Sequence, residues 1–412
     1  MNPERIEKIF WCLVIVWFLL RSSLLSCQYI GNTDPGFKQE VLKYFSETDI
    51  ETGKAYALNG FLFKALYGAF YIFTLIILLR LGFFNSIWQK TVKLVGEGLF
   101  RSDLLFPFVF LFILSLLSFP SSLYFGYFKE TASGFSNITF GSWFWYYFKA
   151  IALNIFLQGI FMWVVISIIH YFPTKWPWLL PLICSALVAC SICIAPFIIT
   201  PIFYNEKPLE KGEFRDKLFE IAKKAELSVN EIYVIDESRY SKHTNAYFSG
   251  FGSFRRIVLY DNLLTNHTPD EALMIFAHEA GHWKYSHMRW GLCCGLVGAF
   301  LVCFFVYWIF DYIAVVKWFG LYRIDSSSVI PFFMISYLIL QLIFAPIESQ
   351  ISQFMEKQAD LTSIELTGKN DVFKKAQIRL AKDNKSDLLP HPFRVFWLYS
   401  HPIAIDRIHF AD

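Results

Sequence analysis

Long apolar windows recur along this chain, and they constrain the fold more than any other feature. They lie near Phe61–Phe84, Leu104–Phe125, Ala150–Phe172 and Pro177–Phe203. Each is near or above the roughly 20 residues that a helix needs to cross a bilayer. An earlier stretch runs from Phe10 past Arg21 to about Leu25, and two later ones cover Trp290 to about Val316 and Val329–Ile347. Composition agrees. The chain is 55% hydrophobic and only 17% charged, where soluble domains carry about 25% charged residues. The expected class is therefore an α-helical polytopic membrane protein. The segment before Phe10 balances Arg5 and Lys8 against Glu4 and Glu7, and no small-residue cleavage site follows, so the first stretch reads as a retained span. A net charge of +3 without long basic runs is too small to argue for nucleic acid, and none is expected as a partner. The eight cysteines lie in or beside apolar windows, as small packing residues do.

Charge density rises between Tyr204 and Arg289. Glu213–Glu226 has helical periodicity, and Ile232–Ile235 and Ile257–Tyr260 are β-type runs. The expected division is 1–203, five spans with loops; 204–289, a small catalytic α/β segment; 290–347, two spans; and 348–412, a polar C-terminal segment. With two spans between them, segments 204–289 and 348–412 face the same side of the membrane.

The stretch His278-Glu279-Ala280-Gly281-His282 reads H-E-x-x-H. Thr268 and Pro269 supply a cap and an N1 proline for its helix, with Asp270 and Glu271 in the first turn. Residues four apart share a helix face, so both imidazoles can take corners of one metal tetrahedron while Glu279 reaches an activated water. The same five residues also occur as helix histidines with unrelated partners. A catalytic zinc takes three protein ligands and keeps a position for water. Glu356 and Asp360 are four apart on the same side; Glu356 is the candidate third ligand, and Asp360 the candidate acceptor for a ligand histidine's N–H. His287, five after His282, is expected off the ligand face. His243 reads as structural, and Lys64, Asp311 and Glu348 as boundary charges.

The ordered series Tyr233-Val234-Ile235, His243-Thr244-Asn245-Ala246-Tyr247-Phe248, Arg256 to Asp261, the H-E-x-x-H-Trp core, Glu356-Lys357-Gln358-Ala359-Asp360, and Tyr399-Ser400-His401-Pro402 with Arg407 resembles the type I CAAX prenyl proteases. The x-x pair departs from the pattern, with Ala280 where the family commonly has leucine. The resemblance implies about seven transmembrane helices enclosing a chamber, with a small α/β zinc-metalloprotease domain. It implies one Zn²⁺ on His278, His282 and Glu356, with Glu279 catalytic and His401 near the reacting carbonyl. It places Asn245 at a strand edge lining the substrate groove, and the β-run ending near Ala246 is expected to pair with an extended peptide. Arg407 is a candidate to stabilise the oxyanion beside His401. The implied partner is a prenylated C-terminal CAAX protein or peptide at the bilayer, cut by a monomer in the endoplasmic reticulum membrane with its site facing the cytosol. Two other readings stay open: a membrane quality-control metalloprotease with broad substrates, and a non-catalytic multi-span protein.

Overall fold

The structure, a computed structural model, describes residues 3–249, 256–310 and 330–412. Seven helices among these residues are long and apolar enough to cross a membrane. They lie in α1 (Pro3–Ile30), α2 (Glu47–Arg80), α4 (Ser102–Leu123, continued by a π-helical turn at Tyr124–Lys129), α5 (Phe140–Tyr171), α6 (Trp176–Ile198), α9 (His287–Phe310) and α10 (Ile330–Thr367). Between α2 and α4 lies α3 (Phe83–Val95). Their outward faces carry bare large hydrophobics such as Leu66, Phe112, Trp145 and Leu182. Apolar surface on this scale requires an apolar solvent, so the chain is a multi-pass membrane protein. The inward faces form one core, with Phe10, Trp17, Phe106, Phe110, Val306 and Phe332 buried.

Several limits differ from those read in the sequence. Helix α2 begins fourteen residues before the apolar window, at a capping box in which Ser46 and Asp49 satisfy each other's backbone N–H groups. Hydropathy registers only the part in lipid, whereas the cap sets where the helix starts. Helix α3, which the sequence reading missed, follows Gly82, whose φ of 67° turns the chain at the end of α2. The expected boundary between residues 347 and 348 falls inside α10. At 1.5 Å per residue this 38-residue helix is ~57 Å long, about twice the hydrocarbon thickness, so one rigid element serves both as a span and as part of the soluble region. Asp311 and the loop 317–328 lie outside the described residues.

The soluble part holds a four-stranded sheet in the order β1-β2-β4-β3: β1 (Glu206–Pro208), β2 (Ile232–Ile235), β3 (Ala246–Ser249) and β4 (Arg256–Tyr260). β2 and β4 are parallel, and β3 runs antiparallel to β4 with Ala246 opposite Leu259. Helices α7 (Glu213–Lys224) and α8 (Pro269–Lys284) pack with this sheet through a separate core that includes Leu218, Ile232, Ile257, Phe276 and Ala277. The C-terminal segment adds α11 (Asn370–Asp383), α12 (Pro392–Leu398) and α13 (Ala404–His409).

Candidate metal centre

Helix α8 starts where its cap residues place it. Thr268 accepts from the Glu271 N–H, and Glu271 returns the bond to the Thr268 backbone. One face then meets α10 at very close range. A Cβ on Gly281 would sit 2.9 Å from Ala359 Cα and 3.2 Å from the Ala359 carbonyl oxygen, and Ala280 and Ala359 are both fully buried. Three small residues therefore let two helix backbones nearly touch, and this brings Glu356 and Asp360 to the two histidines.

The three potential ligand groups, on His278, His282 and Glu356, lie within 4.8 Å of one another. His278 Nε2 is 3.3 Å from Glu356 Oε2, His282 Nε2 is 3.5 Å from Glu356 Oε1, and the two Nε2 atoms are 3.1 Å apart. Glu356 Oε2 is buried without a hydrogen-bond partner. A buried carboxylate oxygen in that condition is unfavourable unless a cation faces it. Two imidazoles and one carboxylate form a suitable donor set for a catalytic metal.

Each imidazole is oriented from its far side. His278 Nδ1 lies 2.8 Å from Asp360 Oδ1. An ionised carboxylate only accepts, so Nδ1–H donates and the Nε2 lone pair faces the cluster. Asp360 is itself fully buried and is gripped by Arg407, whose Nε and Nη2 donate to Oδ2 and Oδ1 at 2.7 and 2.6 Å. Arg407, expected beside an oxyanion, instead commits these two donors to Asp360. On the other arm, His287 Nε2–H donates to Gln358 Oε1 at 3.1 Å. His287 Nδ1 is thereby an acceptor for His282 Nδ1–H at 2.8 Å, which again leaves Nε2 for the cluster.

His287 and Gln358 are the residues at the candidate site that sequence reasoning missed. Counting 100° per residue places His287 off the ligand face. That count fails because α8 ends at Lys284, and Ser286 has φ 55°, which re-aims the chain before α9 begins at His287. Gln358 stands between Glu356 and Asp360 in the sequence, and only the helix contact shows its partner.

Electrostatics separate the arms. Burial opposes a charge on His278, but the Asp360 and Glu356 carboxylates beside it outweigh this and raise its pKa to about 10. Burial, with the neighbouring His278 charge, lowers His282 to about 4. Burial also pushes Glu279 up to about 7, and Glu356 adds to this. The cluster as a whole attracts a cation. His401 is half-exposed on its open side, with Nε2 3.3 Å from Glu356 Oε2 and Nδ1 2.8 Å from Ser400 Oγ. Asn245 and Ala246 sit at the outer strand. The run expected to end near Ala246 begins there, because Asn245 Oδ1 accepts the Ala246 N–H and the Asn245 carbonyl accepts from Tyr260. His243 lies elsewhere, stacked on Phe135 and 3.1 Å from Glu130.

Comparison with known proteins places this arrangement. A profile described as peptidase family M48 matches residues 208–412, and one described as the CAAX prenyl protease N-terminal region, with five membrane helices, matches 28–205. The chain belongs to the CAAX prenyl protease family of M48 peptidases. CAAX prenyl protease 1 of Saccharomyces cerevisiae is 27% identical over 82% of this M48 chain and 80% of its own. A CAAX prenyl protease 1 homolog of Arabidopsis thaliana is 26% identical over 97% and 96%. An uncharacterized metalloprotease, YhfN, of Bacillus subtilis is 27% identical over 79% and 76%. The crystal structure of S. mikatae Ste24p superposes with a TM-score of 0.80 at 23% identity, covering 96% of this chain and 99% of that one, which establishes the fold. The M48 chain is a membrane metallopeptidase, and its family supplies the metal that the unpartnered Glu356 oxygen calls for.

Proposed function

We propose that this chain is a zinc-dependent endopeptidase that removes the C-terminal tripeptide from prenylated CAAX proteins. We place it as a monomer in the endoplasmic reticulum membrane with its site facing the cytosol. The observation that carries the reading is the convergence of two pre-oriented Nε2 lone pairs on the buried Glu356 carboxylate, whose Oε2 has no hydrogen-bond partner. His278, His282 and Glu356 hold the zinc, which when bound supplies a Lewis acid that acidifies water and polarises the scissile carbonyl.

Glu279 takes the proton from the attacking water and delivers it to the leaving amine nitrogen. Its pKa near 7 suits both halves of that transfer. His401, at the open side, donates to the oxygen that gains charge. Arg407 acts one step back by holding Asp360, and Asp360 and His287 keep the ligand imidazoles in the correct tautomer. β3 is the last strand in the sheet order. Its outer side takes an extended peptide through backbone bonds indifferent to side chains, with Asn245 and Ala246 at its entrance. Selectivity then comes from the lipid lodged among the spans.

The test uses the purified chain in detergent with a farnesylated peptide ending in C-a-a-X, products identified by mass. Release of the intact tripeptide, abolished by Glu279→Gln and by a chelator, is the expected result. Equal cleavage of the unlipidated peptide replaces this reading with a broad-specificity peptidase, and absence of bound zinc overturns it.

A further inference from the structure

A cavity of about 460 Å³ opens among α1, α2, α10 and α12, and it carries two charges that the catalytic machinery does not use. Arg21 of α1 and Glu348 of α10 both line it. Arg21 Nε is buried without a hydrogen-bond partner, and the guanidinium lies 5.3 Å from the Trp17 ring centroid. Arg21 falls within a membrane span. A cation there is costly unless it faces a cavity with an anion to meet.

The upper end of the cavity reaches Ser352 and Ser400. Ser352 is one turn before Glu356, and Ser400 adjoins His401, so this end of the cavity lies beside the candidate metal centre. Helices α1 and α10 run the same way: Phe10 stacks on Phe332 at 6.0 Å, while further along Gln28 and Ser349 both bond to the segment around α12, at Asp387 and Val395. From that stack, Arg21 is eleven residues along α1 and Glu348 sixteen along α10. At 1.5 Å per residue Glu348 stands ~7 Å nearer the metal centre, and the guanidinium leans further away, toward Trp17. Three residues in extended form span up to ~10 Å.

We propose that this cavity receives the released tripeptide as a zwitterion, with its carboxylate on Arg21 and its new ammonium facing Glu348. The polarity matches the path, because the carboxylate end enters first and the newly formed amine trails nearest the metal. The proposal rests on the peptidase reading above and adds a product site to it. The site takes short peptides with both termini free, whatever their apolar side chains.

The experiment measures binding, not turnover. The full chain carrying Glu279→Gln is equilibrated with radiolabelled Val-Ile-Ser, its C-terminal amide and its N-acetyl form. Each capped peptide should bind at least 10-fold more weakly than the free one. In Arg21→Gln the free acid and the amide should bind alike; in Glu348→Gln the free and N-acetyl peptides should bind alike; Arg21→Lys should keep the preference for the acid. Equal binding of all three peptides to the Glu279→Gln chain overturns the proposal without reference to any further mutant. A preference for the acid that persists in Arg21→Gln overturns it too, as does acetate competing as well as the tripeptide, which would mark a plain anion site. If farnesylated peptide is cut but no tripeptide binds, this inference alone falls; if tripeptide binds but nothing is cut, the peptidase reading alone falls.

Discussion

The two histidines of the metal centre sit one turn apart on α8, yet they are held by opposite means. His278 is backed by a buried charged pair, Asp360 and Arg407. His282 is backed by neutral groups, His287 and Gln358. Both chains set the tautomer. Only the first adds negative charge behind the ring, which strengthens its hold on a cation. We therefore propose that the charged arm supplies affinity as well as orientation, and the neutral arm orientation alone.

The largest expected effect comes from splitting the charged pair. Arg407→Met leaves Asp360 ionised and fully buried without its cation, and breaking such a pair costs about 3–5 kcal/mol. Thermal unfolding of the detergent-solubilised chain should show it. Replacing both members, Asp360→Leu with Arg407→Met, should recover most of the stability and none of the metal affinity. A double variant as unstable as the single one would mean the pair is not the source.

Next comes Gly281→Ala, which strikes both arms together. The added methyl meets Ala359 at 2.9 Å, and backbone cannot yield as a side chain can. Overpacking of this kind costs about 1–3 kcal/mol, and metal retained through purification should drop well below one per chain by mass spectrometry. Normal metal content would show that α8 and α10 slide apart without moving the ligands.

The arms are then compared singly. Asp360→Asn should weaken metal binding toward the upper end of the 10–100-fold range found for such outer partners, and His287→Leu toward the lower end. Competition with a chelator of known affinity measures both, and the reverse order would break the distinction drawn between charged and neutral support. Gln358→Met should have the smallest effect, a few-fold, because it only frees the tautomer of His287.

Proton release sharpens the same contrast. Without a metal, His278, raised to about 10, carries a second proton on Nε2 at neutral pH, whereas His282, lowered to about 4, does not. Metal binding at pH 7 should then release close to one proton, from the His278 arm, and affinity should climb with pH until about 10. Calorimetry in buffers of different ionisation enthalpy counts that proton, and Asp360→Asn should reduce the count.

How much of this was legible in the chain depends on the range of the cause. The spans were readable because lipid imposes a long, local, one-dimensional requirement on apolar length. The start of α8 was readable because Thr268, Pro269 and Glu271 act within one turn of each other. His278, His282 and Glu279 were readable because helical spacing turns sequence distance into direction. By itself, then, the sequence determined the membrane class, the H-E-x-x-H helix and the chemistry its residue types can perform.

The tertiary structure alone decided which partners meet. Asp360 reaches His278 across 82 residues, and Gln358 reaches His287 across 71. Those contacts depend on two helices approaching to glycine distance at Gly281. A break at Ser286, at positive φ, re-aims His287 in a way no periodic count foresees. The partner of Arg407, Asp360, was likewise decided by packing. A charge in a sequence states only that a partner is needed, and burial and packing determine whether it is found within the fold or left for a ligand.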